Sequence, residues 1–125
     1  MLRECRRILK PGGRLIGLSI HTPTSLTAAE EERAAELGPS LVSGCESPQE
    51  LTDAAGFSRL QITNVTSRFR HTCLAWLTAM KELELKLREE LGDEDFEDEL
   101  DQKEDMLTGI DEGLLLRSLI ISERL

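Results

Sequence analysis

Three groups of residues have types and spacings that could do chemistry. Ser19, His21, Thr22 and Thr24 gather where the apolar run Arg14 to Ile20 gives way to turn residues. Histidine is the side chain whose ordinary pKa suits acid–base work at physiological pH, so His21 is the candidate general base or acceptor-binding group, and Ser19 and Thr22 are further candidate substrate-binding residues. The alternative is a loop histidine satisfied by solvent or backbone. Arg68, Arg70 and His71 follow a second apolar stretch and could bind an anionic acceptor group, although a solvated charge cluster is the plainer reading. Asp93, Asp95, Glu97, Glu99, Asp101 and Glu104 imitate the ligand spacing of a calcium-binding loop. Asp98 stands where the sharp turn of such a loop needs glycine, and Phe96 and Leu100 continue a helical stripe. The acidic run therefore reads as a solvated helix face, and no metal is expected.

These residues need elements to position them. Leu2, Cys5, Ile8 and Leu9 recur at helical spacing, and Pro11-Gly12-Gly13 ends that helix. Arg14 to Ile20 follows as a buried strand. Thr27 with Glu30, and Ser47 with Glu50 behind Pro48, are capping boxes that open two helices. The first should stop at Gly38-Pro39 and the second at Gly56. Leu60 to Val65 alternates as a strand, with Leu60, Ile62 and Asn64 on one face. Cys73, Trp76, Leu77, Met80, Leu83, Leu87 and Leu91 form one stripe, which predicts a single helix over 72–91. Glu82–Lys86, Glu84–Arg88 and Lys86–Glu90 are spaced for ion pairs on its outer face. Gly92 ends it, and Asp93 is placed to cap a second helix. After Gly113, residues 114–122 (LLLRSLIIS) read as a strand buried on both faces. Strands separated by helices define a layered α/β domain.

Composition narrows the function classes. The 125 residues suit one domain, and the net charge of −9 argues against nucleic-acid or acidic-membrane partners. Four aromatic residues are too few for a base-stacking surface. No apolar run suggests a membrane span, and the charged first turn does not resemble a secretory signal, so a cytoplasmic setting is expected. Cys5, Cys45 and Cys73 are widely spaced and form no CxxC pair, which predicts reduced, partly buried thiols. Asn64-Val65-Thr66 matches a glycosylation acceptor but reads as chance in that setting. Most of the acidity lies in residues 89–112, where thirteen acids face only Lys103.

Residues 6–16 (RRILKPGGRLI) resemble a signature of class I S-adenosylmethionine-dependent methyltransferases, of the type 11-like group. In that family a helix ending in R-x-L-K-P-G-G feeds the fifth strand of the sheet. Leu51, Ala54, Ala55, Gly56 and Phe57 are similar to the family's last sheet-packing helix and its entry to strand six. Residues 114–122 are similar to strand seven, and 72–112 to a helical insertion. The resemblance implies one partial Rossmann-like domain over 1–125, with about three strands, and it requires 14–20 to lie alongside 114–122. The glycine-rich loop and the acidic residue that hold the methyl donor in the family have no counterpart here, so no cofactor-binding residue carries over. S-adenosylmethionine is thus implied by resemblance only and is not expected to bind this chain alone. The implied function is the acceptor-side half of a small-molecule methyltransferase, inactive by itself, with a missing amino-terminal half or a second copy as partner. A non-catalytic interaction or dimerisation protein derived from a methyltransferase is the alternative.

Overall fold

A computed structural model describes residues 1–39 and 47–125. Cys45 lies outside the described residues. The helices are α1 (Leu2–Ile8), α2 (Ala28–Leu37), α3 (Pro48–Ala54), α4 (Thr66–Glu82), α5 (Glu84–Leu91) and α6 (Asp93–Asp111). The strands are β1 (Arg14–His21), β2 (Ser58–Asn64) and β3 (Leu116–Glu123). The sheet order is β1-β3-β2, and β3 runs antiparallel to both neighbours. β1 and β2 are therefore parallel edge strands whose carboxyl ends lie at the same end of the sheet. The strand that follows the proline–diglycine turn does lie alongside the last strand, in continuous register from Arg14↔Glu123 to His21↔Leu116.

The α1–β1 turn works because of its glycines. Gly12 has φ +78°, and a side chain at Gly13 would lie 2.7 Å from the Lys10 carbonyl oxygen. That backbone is then tied to the end of β3: the Gly12 amide donates to the Arg124 carbonyl at 2.6 Å, and the Arg124 amide donates to Gly13 at 2.8 Å. Both expected capping boxes are present, at Thr27/Glu30 and Ser47/Glu50.

Five expectations need correction. The helix expected over 72–91 starts at Thr66 and breaks at Leu83, whose ψ of +14° ends α4 and opens α5. Only Cys73 and Leu77 of its stripe are buried, whereas Trp76, Leu83 and Leu91 are exposed, because α6 covers just one flank of α4. Of the three expected ion pairs, Glu84–Arg88 forms at 2.9 Å; Arg88 also reaches Asp93 and Glu97 and stacks 4.4 Å from the Phe96 ring centre, pinning the α5–α6 corner. Gly92, not Asp93, is the cap of α6, and no side chain caps it. Finally, β3 is central without being buried on both faces: Ser118 and Ser122 are its buried residues, while its leucines and isoleucines are half-buried.

The last correction has a plain geometric cause. Directly paired residues share a face, and faces alternate along each strand. Ser19, His21, Ser118 and Ser122 belong to the face that turns towards α3. Ile16, Leu18, Ile20 and Arg117 belong to the other, which the α4–α6 pair covers only near the carboxyl ends of β1 and β2. There Phe69, Cys73, Met106 and Leu115 form the core, with Ile20, Leu107 and Ile110 packed on it. Each large apolar side chain so buried contributes about 1.5–3 kcal/mol. Further down that face Ile16 remains 65% exposed and Leu18 56%. Among the described residues, no helix is long and apolar enough to cross a membrane.

Candidate functional site

The carboxyl end of β1 divides its residues between two sides. His21, half-buried, places Nε2 2.9 Å from the Ser118 hydroxyl and Nδ1 3.2 Å from the Thr22 carbonyl oxygen. A carbonyl only accepts, so the neutral ring carries its proton on Nδ1, and Nε2 accepts from Ser118. Both ring nitrogens are thus satisfied by the fold, and the lone pair a general base would use is engaged. Ser19 lies one alternation further along the same face and lines an apolar cleft of about 290 Å³ between α1, α3 and β1. Thr22 contributes its carbonyl to His21, and Thr24 is exposed.

Arg68, Arg70 and His71 do not converge. All three are exposed on α4, and Arg70 is taken by a two-pronged pair with Asp111 on α6 at 2.6 and 3.2 Å. That guanidinium holds the Asp111 carboxyl below its usual value. The acidic run 93–111 is one continuous helix, so its loop-like spacing falls on a helical surface; among the described residues no group of three or more potential ligands is placed to hold a metal. Cys5 and Cys73 are free thiols, Cys5 half-buried and Cys73 buried.

The structure assembles a different constellation, on the opposite face. Ile20 on β1 stands across the ladder from Arg117 on β3. These two, with Phe69 and Trp76 of α4 and Lys103 and Met106 of α6, line a cleft of about 220 Å³. Arg117 is placed by its own backbone: its amide donates to the Thr66 hydroxyl at 3.0 Å, and its carbonyl accepts from the Val65 amide at 2.8 Å. The start of α4 is thereby fastened to β3, and the Arg117 guanidinium lies 5.1 Å from the Phe69 ring centre. Its Nε is buried and has no hydrogen-bond partner among the described residues. Lys103 leans over Trp76, 5.2 Å from the ring centre, and pairs with Glu99 at 3.1 Å. Burial pushes the nearby Cys73 thiol up, and the charges of Lys103 and Arg117 oppose that shift.

Sequence reasoning missed this cleft because four elements build it. One signal was available: Arg117 is the sole charge inside LLLRSLIIS, a stretch otherwise suited to a sheet interior.

No protein-family model matches the chain, and no curated protein matches it at a significant level. Solved structures do match. Phosphoethanolamine N-methyltransferase 2 of Haemonchus contortus, in complex with phosphomonomethylethanolamine and S-adenosylhomocysteine, superposes with a TM-score of 0.79 at 15% identity, over 98% of this chain and 29% of its own. A putative sarcosine dimethylglycine methyltransferase from Galdieria sulphuraria gives 0.83 at 13% identity, over 98% and 46%. The cyclopropane synthase MmaA2 of Mycobacterium tuberculosis gives 0.75 at 18% identity, over 98% and 48%. The fold is therefore part of the class I S-adenosylmethionine-dependent methyltransferase fold. The chain spans less than half the length of each of these proteins.

Proposed function

We propose that the chain is the acceptor-side part of an S-adenosylmethionine-dependent small-molecule methyltransferase, and that it acts only when joined to a donor-binding half. The observation that carries this reading is the difference between the two sheet edges. β2, at one edge, is polar along Gln61, Thr63 and Asn64, exposes Ile62 less than β1 exposes its apolar residues, and has its register interrupted between Ser58 and Gln61, which discourages strand addition. β1, at the other, exposes Ile16 and Leu18 beside an open apolar cleft. An apolar edge strand next to a half-bare sheet face is suited to a further strand and its helices. The limited share of each solved neighbour that the chain spans supports the same reading.

In such an assembly the donor half would supply the methyl group. This chain would supply proximity and orientation for the acceptor at the carboxyl ends of β1 and β2. Calorimetric titration with S-adenosylmethionine tests the division of labour. The chain alone should give no saturable heat, and the chain reassembled with the glycine-rich segment encoded in frame before it should bind the donor. Micromolar binding to the chain alone, or an upstream frame without such a segment, would sink the proposal.

A second reading rests on the same edge: a non-catalytic protein in which two copies pair through β1. Sedimentation at rising concentration separates the two, since a stable monomer at high concentration removes the dimer reading.

A further inference from the structure

We propose that the cleft between Ile20, Trp76, Lys103 and Arg117 binds the anionic end of a small molecule, a phosphate or a carboxylate group. The inference rests on the acceptor-side reading only in so far as that molecule is the methyl acceptor; the site itself follows from the chain's own residues.

A guanidinium drawn against a sheet and an aromatic ring loses hydration and needs an acceptor in return. Among the described residues Arg117 has none: its Nε is buried without a partner, and no carboxylate pairs with the guanidinium. In a chain of net charge −9, that absence is informative, because acidic side chains are plentiful, most of all on α6, which forms one wall of the cleft. The second cation, Lys103, has a side chain only 19% exposed and is held over Trp76. Its carboxylate partner, Glu99, is half exposed. The cleft thus presents two cations, a fork and a point charge, from different walls. The Arg117 backbone is fixed by ladder pairing and by Thr66, and its guanidinium already rests against the Phe69 ring, so the group is directed into the cleft before any ligand arrives. At about 220 Å³ the space lies below the roughly 300–1,000 Å³ of drug-sized pockets, which suits a small anion and excludes a long acyl chain.

Trp76 is the single tryptophan, so its emission reports the cleft directly. Titrations of the whole chain with inorganic phosphate and with acetate, at constant ionic strength set by chloride, should give a saturable change in that emission. One anion or both should also shift the Arg117 Nε–H resonance. Tighter binding of phosphate assigns a phosphomonoester, and tighter binding of acetate assigns a carboxylate. Lys103→Gln keeps most of the apolar stem and should leave the fold in place, checked by its urea midpoint; it should weaken the preferred anion about ten-fold or more, the loss expected for a charged hydrogen bond. Arg117→Lys retains the charge and should lose only the forked contact. Absence of saturation with both anions, or equal binding in Lys103→Gln, overturns the site. Anion binding by a reassembled enzyme that methylates no phosphate- or carboxylate-bearing compound would leave the site standing and remove the acceptor reading alone.

Discussion

Arg124 donates from its guanidinium to the Arg6 carbonyl at 2.7 Å, and the same nitrogen reaches the carbonyls of Arg7 and Leu9. A cation placed at the end of a helix satisfies carbonyls that have no partner within it and complements the helix dipole. α1 carries no fully buried residue, so this clamp and the Arg6–Gly56 bond of 2.8 Å add to the half-buried Leu2 and Cys5 and the Gly12–Arg124 ties in holding it in place. Arg124→Met should cost about 1.5–3 kcal/mol in urea unfolding. Arg124→Lys should recover only part of that: all three contacts come from one nitrogen and an ammonium also donates, but the lysine side chain is one atom shorter.

Gly109 shows how closely α6 approaches the chain leading into β3. A side chain there would lie 2.5 Å from Leu115 Cδ1 and 3.4 Å from Leu37 Cβ. Gly109→Ala should therefore destabilise by about 1–3 kcal/mol through overpacking, despite alanine's better helix propensity. Combined with Leu115→Ala, the loss should be smaller than the sum of the two single losses, read as a coupling energy in a double-mutant cycle.

Acid should weaken the joints that α6 makes at its carboxyl end. Arg33 forks onto Glu112 and Arg70 onto Asp111, and both carboxyls are held below their ordinary values of 4.5 and 3.8. A carboxyl lowered in this way contributes stability that is complete above its unfolded pKa and disappears as pH falls through the folded one. The double variant Asp111→Asn/Glu112→Gln should therefore be less stable than the parent near pH 7, with the gap closing as pH falls below about 4. Both pairs are exposed, so the gap should be small and should shrink in high salt.

His21 should show the Nδ1-protonated tautomer in long-range nitrogen–proton spectra, as its two contacts dictate. Ser118→Ala should cost about 1 kcal/mol and release Nε2. If His21 is a general base in the assembled enzyme, that variant should retain methyl transfer; His21→Gln should abolish it while leaving the fold intact.

Thiol alkylation should be ordered. In a Cys45→Ser background, Cys5 should react with iodoacetamide well before Cys73, whose thiol is buried and pushed up. Equal rates would show that the α4–α6 core opens readily.

The parts of the fold legible in the sequence were those written in local chemistry. Thr27/Glu30 and Ser47/Glu50 satisfy helix amides within one turn, and the diglycine needs no distant partner, so each is complete in a few residues. The break at Leu83 was hidden because Leu83 and Leu87 keep helical spacing on both sides of it. Burial of β3 was misjudged because LLLRSLIIS records how apolar a strand is, and not which of its faces the described chain covers. The site was legible least. His21 was visible as a residue type, but its bond to Ser118 spans 97 positions, and Lys103 meets Trp76 only because α4 and α6 fold back on each other.

The strand order carries a consequence for synthesis. β1 and β2 share one hydrogen-bonding partner, β3, and β3 is translated after both. At roughly 5–20 residues per second, the ribosome holds β1 for several seconds before Leu116–Glu123 emerges to join it. During that interval the nascent chain offers its most apolar strand to any passing backbone, so slowing translation across α4–α6 should raise aggregation and demand for chaperones.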